Sequence, residues 1–246
     1  MKSSNLRVAL YVTCLINTQR PKIAWDTVSL IESLGFTVEV PPTQTCCGQP
    51  SYNNGHCVIE AAKLQIKTLE PFDMIVVPSG SCAGMIKNHY PSVLNASKEW
   101  RSRSKSLAKK TFELSDFLLQ QKWTPNPSIA QNNKAHSIAH HTSCSCRRDT
   151  QTHHCADELL QRNGNQLKQF EEQEVCCGFG GTFSEKFSAL SERMAQNKLD
   201  AIEAQNTNTV VSADLGCLLH LEHINKKLKR PFKFLHLAEI LRNGNG

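Results

Sequence analysis

Eleven of the 246 residues are cysteines, and eight of them form a pattern. The doublet Cys46-Cys47-Gly48 returns as Cys176-Cys177-Gly178, and one further cysteine follows each doublet, Cys82 and Cys217. Thirty-one residues lie between Cys14 and Cys46, and thirty-one again between Cys144 and Cys176. Two thiol quartets result: Cys14, Cys46, Cys47 and Cys82, then Cys144, Cys176, Cys177 and Cys217. Four thiolates suit either a tetrahedral zinc ion or an iron–sulfur cluster. Neighbouring side chains in an extended segment diverge, so a doublet fits one small ion poorly, whereas a cluster presents several irons. Glycine after each doublet lets the backbone come close, and its N–H can donate to sulfur, as can the run Gly178-Phe179-Gly180-Gly181. Disulfide scaffolds are mostly short secreted chains, and this chain is neither short nor fitted with the apolar stretch of a signal peptide.

The remaining cysteines, Cys57, Cys146 and Cys155, have no counterpart in the other copy and read as inert thiols. Cys146, two residues from Cys144, is the one that could substitute as a ligand. His140-His141 and His153-His154 flank Cys144, but the rings of adjacent residues point apart, so packing or solvent exposure is expected of them. Arg147 and Arg148 could offset the charge of a bound group.

Elements must bring these distant thiols together. Arg7 to Val12, Phe36 to Val40 and Met74 to Val77 read as strands in the first copy. Ser137 to His141, Gln166 to Phe170 and Thr209 to Ser212 do so in the second. Helices are expected over Ile23–Leu34, His56–Leu69 and from Met85, then over Thr152–Arg162, Ser184–Ala204 and Leu218–Lys227. The closing segments also repeat: Phe112 to Leu118 answers Leu235 to Leu241. The expected architecture is α/β: two tandem, pseudo-symmetric Rossmann-like β-α-β units with parallel sheets and one quartet each. The units span residues 1–122 and 137–246, joined by a Pro/Asn-rich linker at 123–136. In such sheets sites form outside the carboxyl ends of strands, where Cys14, Cys82, Cys144 and Cys217 fall.

Net charge is +6, and no apolar run approaches the ~18–20 residues of a membrane span. The basic stretch Lys98–Lys110 lacks an aromatic series for stacking bases, so nucleic acid is not an expected partner. No glycine-rich phosphate loop supports a nucleotide, nicotinamide or flavin. A protein of the reducing cytoplasm is expected.

The sequence resembles the CCG-domain (cysteine-rich domain) iron–sulfur proteins along nearly its whole length, most of all their lactate-utilization branch. The segments that carry this are Cys14-Leu15-Ile16, Gln44 to Pro50, Pro78 to Cys82, Cys176 to Phe183, Asp214 to Leu218 and His236 to Ile240. The resemblance implies an iron–sulfur electron-transfer subunit of a three-component system that oxidises L-lactate to pyruvate. It also implies partners in the B-type and C-type subunits of that complex. The heterodisulfide reductase B subunit and the glycolate oxidase iron–sulfur subunit are implied relatives. Where the reductase pattern has a fifth cysteine, this chain has Met85 and His220. Four thiolates per site could hold a 4Fe–4S cubane or a non-cubane cluster with an open iron, and His220 could add a nitrogen. Where the lactate-utilization pattern has a histidine after the second site's first cysteine, this chain has Ser145-Cys146. The alternatives are a thiol/disulfide reductase and a module with structural zinc in one or both quartets.

Overall fold

The computed structural model describes residues 6–133 and 136–244. Residues 1–5, 134–135 and 245–246 lie outside it, and with them most of the N-terminal stretch read for a signal peptide and part of the expected linker.

Eight short strands build two sheets among the described residues. The first half contributes β1 (Arg7–Leu10), β2 (Thr37–Glu39), β3 (Met74–Val77) and β4 (Thr111–Glu113) in the order β2-β1-β3-β4. The second contributes β5 (Ser137–His140), β6 (Gln166–Leu167), β7 (Thr209–Ser212) and β8 (Lys233–His236) in the order β6-β5-β7-β8. Every pairing is parallel. The two-unit α/β architecture expected from the repeat is therefore present. The central strands are unbroken apolar runs, Val8-Ala9-Leu10 and Ile75-Val76-Val77, because helices cover both faces of a parallel sheet. The fourth strand of each half, absent from the sequence reading, lies at the start of the closing repeat.

Helices begin immediately after the central strands. The chain leaves β1 into the helix Cys14–Gln19 and β3 into Gly80–Gly84; it leaves β5 into Cys144–Arg148 and β7 into Leu215–Lys227. A π-helical turn, Met85–His89, follows Gly80–Gly84. The helix expected over Ser184–Ala204 is broken at Phe187 into Phe183–Lys186 and Ser188–Glu203. The Pro/Asn-rich segment carries a helix of its own, Pro127–Asn133, whose buried Asn133 amide donates to the Asn163 carbonyl.

The halves exchange their closing helices. The helix Leu237–Asn243 packs on Lys22–Glu32 of the first half, and Leu114–Gln120 packs on His153–Arg162 of the second. One apolar core thus runs through both, with Ile23, Leu30, Ile31, Phe117, Leu159, Leu160, Ile240 and Leu241 all essentially excluded from water. Arg20 ties the exchange at its edge: it pairs with Glu222 and donates to the Phe234 carbonyl at 3.2 Å.

Glu113, at the end of β4, caps the helix Leu114–Gln120 by accepting from the Ser115 N–H at 2.9 Å. The site is fully enclosed, and its Oε1 has no hydrogen-bond partner among the described residues. Burial pushes this carboxyl up to about 7, against the pull of the two Ser115 bonds. An unfolded chain releases the proton near its ordinary value of 4.5. Between those pH values the folded state holds the extra proton, so stability falls as pH rises through the window and levels off above it. Glu113→Gln keeps a capping oxygen and removes the titration. Its stability advantage over the natural chain should grow by on the order of 3 kcal/mol between pH 4.5 and 8. Urea unfolding midpoints measured across that range test this; parallel profiles for the two chains would refute the shift.

Candidate metal centre

In a parallel sheet of order 2-1-3-4, strand order reverses between β1 and β3, and a crevice opens there beyond their carboxyl ends. Cys14 follows β1 and Cys82 follows β3, so they flank that crevice. Cys144 and Cys217 do the same after β5 and β7. The doublets arrive on loops that leave β2 and β6.

The thiols of each quartet meet. Cys14 Sγ lies 3.8 Å from Cys46 Sγ, and Cys47 Sγ lies 3.3 Å from Cys82 Sγ. In the second half Cys144, Cys176, Cys177 and Cys217 line one cavity, and Cys177 Sγ and Cys217 Sγ lie within 4.8 Å of one another. Gly48 and Gly178 each turn the chain with positive φ, 86° and 93°, and each donates its N–H to the first sulfur of its doublet at 3.4 Å. A side chain at Gly178 would also strike the Ser191 carbonyl, its Cβ falling 2.5 Å away. These thiol networks favour one thiolate per quartet. Cys46 and Cys176 are held far below the ordinary thiol value, first by donation from Cys14 and Cys144, then by the second doublet thiol and the glycine N–H. Their neighbours, Cys14, Cys47, Cys144 and Cys177, are pushed up by that same sharing and by burial.

Buried side chains fix the doublet loops. In the first half Tyr11 Oη donates to the Thr45 carbonyl at 2.5 Å, and Tyr90 Oη donates to the Cys47 carbonyl at 2.9 Å. Gln65 Nε2 reaches Thr45 Oγ1. In the second half Ser191 donates to the Gly178 carbonyl at 2.8 Å, and buried Lys198 donates to the Glu172 carbonyl.

The two quartets share one space: a cavity of about 450 Å³, lined by all eight cysteines, lies at the seam between the halves. Asp214, 3% exposed, closes the seam. Its Oδ1 accepts from Ser79 Oγ and Ser81 Oγ, both at 2.7 Å, and from the Ser81 N–H at 3.1 Å, while its Oδ2 accepts from Ser143 Oγ. Ser79 and Ser143 are themselves helix N-caps, so one carboxylate grips the entry turns of helices from both halves. Gly80 permits the approach, because a Cβ there would sit 2.2 Å from Cys146 Sγ.

Most of the other sequence candidates fall outside the cavity. Cys146 is buried at the seam, its Sγ 3.8 Å from Asp214 Oδ2. His220 Nε2 faces Ser191 Oγ at 3.1 Å beside the Phe179 ring. Met85 is fully buried in the core that also contains Cys47 and Cys82. Cys57 is exposed, and Cys155 is buried next to His154. Of the histidine pairs, His140 bonds Asp157 at 2.7 Å. His141 lines the cavity, and one of its ring nitrogens lies within 4.8 Å of the Cys177 and Cys217 sulfurs. The sequence expectation for His141 was packing or solvent exposure. The available signal was its position three residues before Cys144, the offset at which Tyr11 precedes Cys14. Burial and the neighbouring Lys198 hold the His141 ring neutral.

Soft sulfur donors in this number select zinc, copper(I) or iron–sulfur clusters over hard cations. The donors already converge and glycine N–H groups already point at sulfur, so the residues fit a bound metal group.

The family model described as the cysteine-rich domain matches this chain twice, over residues 8–87 and 138–222. The chain is 38% identical over 241 residues to lactate utilization protein A of Geobacillus sp. (strain WCH70), spanning 97% of this chain and all of that one. It is 36% identical to the protein of the same name from Bacillus pumilus and 37% to that from Halalkalibacterium halodurans, again over 97% of its length. The chain belongs to the lactate utilization protein A family of cysteine-rich domain proteins. The crystal structure of a hypothetical protein from Helicobacter pylori shares the fold of this family member, with a TM-score of 0.68 at 12% identity. That match covers 97% of this chain and 49% of the other, so the chain spans about half its length.

Asp214 carries a testable load. Asp214→Ala leaves three hydroxyls and an N–H at the seam without their acceptor and should cost about 3 kcal/mol of stability. Urea unfolding measures that cost, and hydrogen exchange should show the Ser79–Cys82 and Ser143–Cys146 amides losing protection together. A loss confined to one half would mean that the carboxylate does not couple them.

Proposed function

We propose that this chain is an iron–sulfur electron-transfer component of a multi-subunit system that oxidises L-lactate to pyruvate, with the two quartets as ligands. The observation that carries the reading is the convergence of eight thiols on one cavity in a chain whose full-length relatives are named for lactate utilization. Oxidation of the hydroxy acid releases two electrons and two protons, and iron–sulfur clusters store and pass electrons one at a time. The chain's own residues do the rest. Eight cysteines would hold the metal groups, 4Fe–4S centres of cubane or non-cubane form. Gly48 and Gly178 would donate N–H bonds to ligand sulfur and so help set reduction potential. Tyr11, Tyr90, Ser191 and Lys198 would hold the doublet loops in place. Substrate chemistry would belong to partner subunits, the B and C types of the system. Phe187 and Leu190, 57% and 55% exposed, lie just past the cavity-lining segment Gly180–Glu185, where a partner would cover them. No helix among the described residues is long and apolar enough to cross a membrane, which agrees with electron transfer to protein partners.

Anaerobic purification with iron, sulfide and zinc analysis tests the reading. A brown protein with a reducible visible band and an EPR signal on reduction is expected; colourless protein holding zinc would refute it. Cys47→Ser should lose iron from the first half alone and Cys177→Ser from the second alone, each retaining about half the natural iron content, whereas Cys57→Ser should retain all of it. Equal loss from both halves in either quartet variant would refute independent sites.

A further inference from the structure

The two sites are built on the same backbone but do not offer the same donors. Tyr11 and His141 each stand three residues before the first cysteine of their quartet, and the same bond holds each backbone in place. The Tyr11 N–H donates to the Val76 carbonyl at 2.9 Å, and the His141 N–H to the Val211 carbonyl at 2.8 Å. Their side chains then diverge. Tyr11 Oη finds the Thr45 carbonyl. His141, 1% exposed, has no hydrogen-bond partner at either ring nitrogen among the described residues. A buried imidazole left unbonded forfeits about 1–3 kcal/mol per polar atom, so a partner belongs beside it. The nearest donor group is the metal-binding set itself: a ring nitrogen, Cys177 Sγ and Cys217 Sγ all lie within 4.8 Å of one another.

We propose that His141 is a ligand of the second centre, which thus has four sulfur donors and one nitrogen donor, while the first has sulfur alone. This rests on the iron–sulfur reading above. A neutral imidazole adds a donor without displacing a thiolate, so it leaves the ligand charge of the two centres equal. Lys198, fully buried against the doublet loop of the same half, sets a cation beside the second centre, whereas the corresponding helix of the first half buries neutral Gln65, so the second centre is the more easily reduced of the two.

The test uses anaerobically prepared full-length protein with 15N-labelled histidine, as the natural chain and as Cys47→Ser, which leaves the second centre to be observed alone. Pulsed EPR of the reduced protein should show a strongly coupled nitrogen that changes isotope with the label. His141→Tyr, which installs the residue the first half carries at this position, should abolish that coupling. A redox titration should place the second centre above the first. An iron signal whose only nitrogen couplings are weak and indifferent to histidine labelling would overturn the proposal while leaving the iron–sulfur reading intact. Iron missing from both halves would overturn that reading and this proposal with it. If His141→Tyr fails to fold, the labelled natural chain and Cys47→Ser still decide the question.

Discussion

A buried carboxylate, together with the exchanged closing helices, joins the two halves into one molecule. Among the described residues Asp214 accepts five hydrogen bonds at the seam, four from three serines in the first turns of helices on both sides of it and one from the Cys146 thiol. A carboxylate out of water is tolerable only when its lone pairs are filled, and here both halves are needed to fill them. That requirement sets the distance and rotation between the helix entries at Cys82, Cys144 and Cys217. The shared cavity follows, because the switch point of each sheet opens beside those entries. The exchanged closing helices supply the apolar counterpart of the same constraint, sealing a common core on the opposite side.

Much of this was legible in the chain. The repeat of doublets at equal spacing identifies the quartets, and apolar runs before Cys14, Cys82, Cys144 and Cys217 locate the central strands. The edge elements were harder. β4 and β8 are three and four residues long, and their pattern is dominated by the capping residues Glu113 and His236 rather than by a long β-branched run. Phe187 interrupts a helical pattern that continues on both sides of it, so periodicity alone joins the two helices. The sequence also implies two separate pockets, one per copy, and gives no sign that they open on one space. That fact lies in Asp214, whose N-cap position in its own half is ordinary, and whose partners Ser79 and Ser81 stand more than 130 residues away. Long-range pairing of this kind leaves no trace in local spacing.

Duplication sets the two sites up alike, and the buried positions that support them have since diverged. Both doublets keep the positive-φ glycine, because no other residue offers the turn and the N–H to sulfur without strain. Around them the supports differ in charge and in donor type. The first half fixes its doublet loop with two tyrosine hydroxyls and a glutamine amide. The second uses a serine and a lysine, and leaves an imidazole facing the thiols. Substitutions of this kind alter the surroundings of the sulfurs without changing the number of thiols.

That division of labour explains why four thiols per site can be kept while the environment varies. The thiol networks already hold one sulfur of each quartet as thiolate, Cys46 and Cys176, so part of the cost of deprotonating ligands is met by neighbours on the protein. Cys14, Cys47, Cys144 and Cys177 are pushed up because they share protons with that thiolate and because water is excluded. A metal group that takes their protons away relieves both effects at once. A metal group entering sites assembled in this way would meet geometry set before it arrives. A buried carboxylate some residues away, at Asp214, then bears directly on how firmly both can hold it.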